Sequence, residues 1–144
     1  MKNSDAGLPL ELRRRVAIIG AGSWGTSVAR VIAQNRADHE VCLWAYEKQV
    51  VRSINEARTN AMYLPDVALP ANVSATGSLR DAVAGSYMVF LATPSKVLYD
   101  TCLKLRKFLV DDARLAYLTK GFCRVGEGIY TISEAIEMAL PSHG

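Results

Sequence analysis

The chain has 144 residues, half of them apolar, which is enough material for one domain with a buried core. Its net charge of +3 is too small to indicate a nucleic-acid-binding protein, and no apolar run approaches the roughly 18 residues that a membrane-spanning helix needs. Three widely spaced cysteines without a CxxC pair predict neither a zinc site nor a redox pair, and the absence of an apolar signal segment favours a cytoplasmic protein.

Apolar runs alternate with segments of helical periodicity along the chain. The first predicted elements are a strand over Val16–Ile19, a helix over Ser23–Gln34, a strand over Val41–Ala45, a helix over Glu47–Arg58 and a short strand near Asn72–Ala75. They are followed by a helix over Ser78–Ala84, a strand over Tyr87–Ala92, a helix over Lys96–Leu109, a strand over Leu115–Leu118 and a helix over Ile129–Leu140.

This alternation predicts a parallel sheet with helical crossovers. Several strands are continuous apolar runs, which is typical of strands covered on both faces. We therefore expect an α/β fold of the Rossmann type: a doubly wound, mostly parallel sheet with strand order 3-2-1-4-5 and helices on both faces. Residues 1–13 are predicted to be a lead-in, and residues 14–144 to form the domain.

The segment GAGSWG, residues 20–25, lies between the first predicted strand and the first helix, where the GxGxxG spacing is typical of dinucleotide-binding sites. There, Gly20 permits the tight turn, Gly22 allows close approach of a pyrophosphate, and Gly25 lets the helix pack near the strand. Free N–H groups and the helix dipole at Ser23 and Trp24 favour an anion. The alternative is a glycine turn without a ligand.

Two residues after the second predicted strand suit the adenosine half of such a cofactor. Glu47 lies 22 residues beyond Gly25, where a carboxylate can accept both ribose hydroxyls of NAD. Tyr46 is placed to stack on adenine. The alternatives are a surface aromatic for Tyr46 and a first-turn acid of the next helix for Glu47. Because Lys48 could instead accept a 2′-phosphate, the cofactor is NAD or NADP, with NAD favoured.

Two further segments end predicted strands at the carboxyl edge of the sheet, where doubly wound folds bind ligands. Lys120 directly follows the fifth strand and can pair with a phosphate or polarise a carbonyl; the alternative is an ordinary solvated lysine. The TPS segment, residues 93–95 with Pro94 at its centre, lies at the equivalent edge of the fourth strand and is expected to line the same crevice. No catalytic acid or base is evident in the sequence, and no metal site is predicted.

Five segments together resemble the N-terminal domain of NAD(P)-dependent glycerol-3-phosphate dehydrogenase. They are GAGSWGTSVA, VCLW, NAMYLPDVALPANVSAT, LATPS and LTKG, and their order and spacing match over roughly residues 14–140. The glycine loop alone is not specific to this family. The specific part is the combination of Asn60 and Leu64-Pro65 with the turn Thr119-Lys120-Gly121.

The resemblance implies interconversion of dihydroxyacetone phosphate and sn-glycerol 3-phosphate with a nicotinamide cofactor. It implies that Lys120 reaches both the nicotinamide and the substrate, that Tyr46 lies by the adenosine, and that the pyrophosphate is held by Gly20, Gly22, Ser23, Trp24 and Gly25. The family continues into a C-terminal helical domain that supplies the proton-transfer lysine. Because these 144 residues do not include that domain, we expect them to bind cofactor without turnover.

For the full-length protein we expect a homodimer that acts on a small phosphate substrate and has neither a nucleic-acid nor a membrane partner. Two other functions stay open on the sequence alone. One is the cofactor domain of a different two-domain dehydrogenase, acting on keto acids or sugar phosphates. The other is a non-catalytic module that senses dinucleotides.

Overall fold

The computed structural model describes residues 14–143, so the predicted lead-in over residues 1–13 lies outside the described residues. In chain order the elements of the described part are β1 (Arg15–Ile19), α1 (Ser23–Asn35), β2 (Glu40–Trp44), α2 (Lys48–Ala57), β3 (Val73–Thr76), α3 (Leu79–Val83), β4 (Met88–Leu91), α4 (Ser95–Leu105), β5 (Arg114–Tyr117), β6 (Phe122–Val125), β7 (Gly128–Thr131) and α5 (Ile132–Ala139).

The main sheet has five parallel strands in the order β3-β2-β1-β4-β5, which confirms the predicted order. β1 lies at its centre, where Ile18 is aligned with Leu43 of β2 on one side and with Phe90 of β4 on the other. All carboxyl ends of the strands therefore meet at one edge of the sheet, which is the edge that the ligand-binding residues are predicted to share.

Helices cover both faces of this sheet. Val16 and Ile18 belong to a buried cluster with residues of α1 and α2, whereas Ala17 and Ile19 belong to a second cluster with residues of α3, α4 and α5. Successive side chains of a strand point to opposite faces, so β1 is apolar from Val16 to Ile19 because both of its faces are buried there. The doubly wound architecture is confirmed.

The region after β5 differs from the prediction. The helix predicted over Ile129–Leu140 begins only at Ile132, because residues 128–131 form β7 and pair antiparallel with β6. The start of α5 is fixed by a capping box: the Thr131 hydroxyl accepts a hydrogen bond from the Glu134 N–H, and the Glu134 carboxylate accepts one from the Thr131 N–H. The Glu134 carboxylate accepts hydrogen bonds from the Thr131 hydroxyl and from the Thr131 N–H, and these two bonds lower the pKa of Glu134.

The fourth helix is shorter than predicted. α4 ends at Leu105, four residues before the predicted Leu109. The N–H groups of Phe108 and Leu109 both donate to the carbonyl of Leu105, so the chain closes a tight turn there instead of continuing the helix. No glycine or proline marks this end in the sequence, which is why the periodicity alone placed it too late.

The buried cysteines predict how the stability of the fold depends on pH. Cys42, Cys102 and Cys123 are free and buried, and burial raises the pKa of each thiol, to about 12 for Cys102. Thiols of the unfolded chain ionise near about 8.5, so the unfolded state binds fewer protons above that pH. We expect their contribution to stability to be complete below pH ~8.5 and to be lost as the pH rises towards 12.

Urea denaturation measured between pH 7 and pH 10 tests this expectation. The midpoint should fall above pH ~8.5, and it should fall less steeply in a variant with all three cysteines replaced by alanine. Equal slopes in the two proteins would show that the buried thiols do not carry the effect.

Candidate functional site

The first glycine of the loop after β1 has no room for a side chain. Gly20 has a φ of +122°, and a Cβ there would lie 2.8 Å from the carbonyl carbon and oxygen of Ala92, just beyond β4. Its N–H donates to the carbonyl of Trp44 over 3.1 Å. Gly20 therefore lets the loop turn between the ends of β2 and β4.

The last glycine of the motif holds α1 against the same loop. A Cβ on Gly25 would overlap the carbonyl oxygen of Gly20, and Gly25 is buried. The neighbouring Thr26 hydroxyl donates to the carbonyl of Ala21 over 3.3 Å. The first turn of α1 and the loop thus touch backbone to backbone, as the motif predicts.

The middle glycine faces open space. Gly22 is the N-cap residue of α1, and a Cβ there would have no atom within 4 Å. No side chain caps this helix end, and its first turn carries no acidic residue. The first N–H groups of α1 have no partner within the helix, so this end offers donors and a positive dipole to an anion. In contrast, Ser78 and Thr131 cap the starts of α3 and α5 with their hydroxyls.

A cavity of about 630 Å³ opens at this carboxyl edge of the sheet. Seven of the predicted site residues line it, namely Gly20, Gly22, Trp24, Tyr46, Glu47, Pro94 and Lys120. They come from the loop after β1, the first turn of α1 and the segments that follow β2, β4 and β5. Parallel pairing alone brings these separate stretches together.

The two remaining predicted residues do not line the cavity. Gly25 is buried behind it, and the Ser23 hydroxyl donates to the carbonyl of Tyr63 over 2.6 Å. A contact from Ser23 to an anion would therefore use its backbone N–H and not its side chain. Gly25 acts only on the position of the loop.

At the β2 side of the cavity, the Glu47 carboxylate has a specific partner. Its Oε1 accepts a hydrogen bond from the Tyr63 hydroxyl over 2.9 Å, and this bond raises the pKa of Tyr63. Glu47 is the N-cap residue of α2, but its side chain makes no cap hydrogen bond to that helix. The carboxylate thus does not act as a first-turn acid of α2. Tyr46, beside it, is 84% exposed and has a free ring face to offer.

At the β5 side of the cavity, hydrogen bonds of the neighbouring Thr119 fix the segment that carries Lys120. The Thr119 hydroxyl donates to the carbonyl of Thr93 over 2.7 Å, tying the end of β5 to the end of β4. Gly121 has a φ of +96°, which gives the sharp turn predicted after Lys120. Thr93 itself lines the cavity, and its hydroxyl is buried without a hydrogen-bond partner among the described residues.

Sequence reasoning did not assign a site role to two residues around the loop, Asn60 and Tyr63, whereas Thr93 belongs to the TPS segment that was expected to line the crevice. Asn60 is fully buried, and its amide Nδ2 donates to the carbonyl of Ala21 and to the hydroxyl of Thr26, each over 2.8 Å. Its Oδ1 accepts from the Tyr63 N–H over 3.2 Å. A polar residue in an irregular segment is the only local signal, because its partners lie far away in sequence.

The site fits a dinucleotide in four respects. The space in front of Gly22 suits a phosphate, the start of α1 is uncapped, Glu47 presents a carboxylate, and the Thr93 hydroxyl lacks a partner. Within residues 14–143 no group of three or more histidine, cysteine, aspartate or glutamate side chains suits a metal ion. Over the same residues no helix is long and apolar enough to cross a membrane.

A family model described as the N-terminus of NAD-dependent glycerol-3-phosphate dehydrogenase matches residues 15–144. The chain belongs to this family. The resemblance inferred from the glycine loop, the NAMYLP segment and the LTKG turn is thereby confirmed.

Curated relatives and solved structures agree with this assignment. Glycerol-3-phosphate dehydrogenase [NAD(P)+] of Listeria monocytogenes serotype 4b (strain CLIP80459) is 40% identical over 109 residues, covering 76% of this chain and 32% of the relative. The Bacillus subtilis (strain 168) enzyme of the same name is 33% identical over 129 residues, covering 90% and 36%. The crystal structure of glycerol-3-phosphate dehydrogenase from Coxiella burnetii matches with a TM-score of 0.80 and 27% identity, covering 92% of this chain and 38% of that one. The chain thus spans about a third of the length of these family members.

Proposed function

We propose that the chain is the cofactor-binding part of an enzyme that interconverts sn-glycerol 3-phosphate and dihydroxyacetone phosphate with NAD(H) or NADP(H). The observation that carries this proposal is the single cavity in which the loop after β1, the Glu47 carboxylate and Lys120 meet. Family membership supports glycerol 3-phosphate as one substrate, since the relatives named above are glycerol-3-phosphate dehydrogenases. Dihydroxyacetone phosphate is the ketone that removal of a hydride and a proton from its secondary alcohol would give. Residues 14–144 are proposed to form the cofactor domain, preceded by the lead-in.

The residues divide along the cavity according to the strand that each follows. The N–H groups at the start of α1, behind Gly22, would hold the pyrophosphate. Glu47 and Tyr46, after β2, would hold the adenosine ribose and adenine. Pro94 and Thr93, after β4, would contact the nicotinamide half, where the Thr93 hydroxyl would gain its missing partner.

When bound, the nicotinamide would supply or accept the hydride. Lys120 follows β5 and would pair its ammonium with the phosphate or the carbonyl of the substrate. Glu47 is the only carboxylate among the residues that line the cavity, and it follows β2, which is separated from β5 by the two strands β1 and β4. It is thus too far from Lys120 to exchange a proton with the substrate there, about 14 Å at the usual strand spacing. This placement supports cofactor binding without turnover by residues 14–143 alone.

For the full-length protein we propose a homodimer in the cytoplasm that acts on a small phosphate substrate. The proton-transfer lysine is proposed to come from the C-terminal domain. A net charge of +3 supports the absence of a nucleic-acid partner. Sedimentation of the full-length protein would test the dimer, and reduction of dihydroxyacetone phosphate against a panel of keto acids would test the substrate.

Fluorescence titration with NADH and, separately, NADPH tests the cofactor. Trp24 and Trp44 are the only tryptophans of the chain, and both line the cavity, so binding should quench their emission saturably. Gly22→Leu should abolish the quenching, because the added side chain fills the space in front of α1. The variant should still fold, since a Cβ at that position meets no atom.

Val31→Leu is the matched control, because Val31 is an exposed position on the same helix that does not line the cavity. It should bind like the wild-type chain, and circular dichroism should be unchanged in both variants. The absence of quenching by either dinucleotide in the wild-type chain would contradict the proposed function.

A further inference from the structure

Tyr63 connects the two parts of the cavity that face the cofactor's phosphates and its adenosine. It lies in the irregular connection between α2 and β3, and three of its polar groups are held. The hydroxyl donates to Glu47 Oε1 over 2.9 Å, the carbonyl accepts from the Ser23 hydroxyl over 2.6 Å, and the N–H donates to Asn60 Oδ1 over 3.2 Å. Tyr63 is therefore anchored to the glycine loop before it reaches Glu47.

The hydrogen bond from Tyr63 restricts the orientation of the Glu47 carboxylate and leaves most of its acceptor positions available. A carboxylate has two oxygens and about four acceptor positions, and Tyr63 takes one of them on Oε1. Both side chains line the cavity, so Oε2 stays available to a ligand there.

The distribution of charge in the cavity favours a ribose with free hydroxyls over a 2′-phosphate at the part of the cavity that follows β2. Glu47 is the lining residue with negative charge, while the lining cations, Lys104 and Lys120, come from α4 and from the segment after β5. Lys48 is exposed and does not line the cavity. A ribose with free hydroxyls can donate to Glu47, whereas a 2′-phosphate would meet a like charge with no cation from β2 to offset it.

We propose that Tyr63 is a positioning residue that holds the Glu47 carboxylate for the adenosine ribose and thereby makes the chain prefer NAD(H) over NADP(H). This inference rests on the proposed function, since it needs a dinucleotide in the cavity. Tyr63 acts through Glu47, so its effect appears in the ratio of the two affinities and depends on the carboxylate.

The test measures dissociation constants for NADH and NADPH in the wild-type chain, Tyr63→Phe, Glu47→Gln and the double variant. The wild type should favour NADH, Tyr63→Phe should reduce that preference by about tenfold, and Glu47→Gln should abolish it. Tyr63→Phe should change nothing further in the Glu47→Gln background. Tyr130→Phe, the same change on β7 away from the cavity, is the matched control and should keep the wild-type ratio.

A second variant keeps the inference testable if Tyr63→Phe does not fold. Ser23→Ala removes the hydrogen bond to the Tyr63 carbonyl and should shift the ratio in the same direction by a smaller factor. An unchanged ratio in Tyr63→Phe, or a shift that persists in the Glu47→Gln background, would overturn the inference while leaving cofactor binding intact. Failure of the wild type to bind either dinucleotide would overturn the inference and the proposed function together.

Discussion

Replacing Gly25 by alanine is expected to destabilise the fold by about 3 kcal/mol or more and to abolish dinucleotide binding. The added Cβ would overlap the carbonyl oxygen of Gly20, and Gly20 itself has no freedom to retreat because it abuts the backbone of Ala92. Backbone atoms on both sides cannot move without shifting α1 or β4, and interiors packed at this density transmit such strain. Urea denaturation monitored by circular dichroism gives the free energy of unfolding.

Gly22→Ala is the control for this prediction, because it makes the same chemical change three residues earlier. A Cβ at Gly22 meets no atom, and its φ of −70° suits any residue, so stability should change by less than about 1 kcal/mol. Equal losses in the two variants would show that the glycines matter for chain flexibility and not for the contact between α1 and the loop.

Replacing Asn60 by leucine is expected to cost about 2–4 kcal/mol of stability and to weaken NADH binding strongly. The two side chains are similar in volume, but leucine removes the hydrogen bonds of Asn60 to the Ala21 carbonyl, the Thr26 hydroxyl and the Tyr63 N–H. The Ala21 carbonyl and the Thr26 hydroxyl then keep only the longer bond of 3.3 Å between them. The glycine loop would then lose its link to the connection that carries Tyr63. Denaturation in urea measures the first effect, and the NADH titration measures the second in the folded protein.

Asn72→Leu separates these two effects. Asn72 lies in the same connection, and its Nδ2 donates to the carbonyls of Ala33 and His39 near the amino edge of the sheet. Its replacement should lower stability as well, but the folded protein should bind NADH with wild-type affinity. Loss of affinity in both variants would mean that binding reports only general stability.

The sequence was sufficient to predict the main sheet and most of its ligand-binding edge. β1, β2 and β4 are apolar without interruption or nearly so, and long helices separate them, so alternation and burial lead to one topology. In a parallel sheet the carboxyl ends of all strands meet at one edge. Residues such as Tyr46, Pro94 and Lys120 could thus be placed together before their contacts were known.

The features that could not be predicted from the sequence are short strands and side chains whose partners are distant in sequence. Phe122, Ile129 and Tyr130 lie on four-residue strands, and runs of that length fit a helix as well as a strand. Asn60 contacts Ala21 across 39 positions of sequence, and Tyr63 contacts Glu47 across 16. No periodicity relates such pairs, so their roles became visible only in three dimensions.

The central position of β1 also has a consequence for how the chain folds. Ile18 pairs with Leu43 after a short crossover, but it pairs with Phe90 only after 72 residues of chain have been made and ordered. Closing so long a loop costs entropy, so we expect β1, β2 and β3 to assemble early and β4 and β5 to dock late. The cavity is complete only after β4 and β5 have docked. A bound dinucleotide would therefore stabilise the docked state and slow the separation of β4 and β5 from β1, β2 and β3.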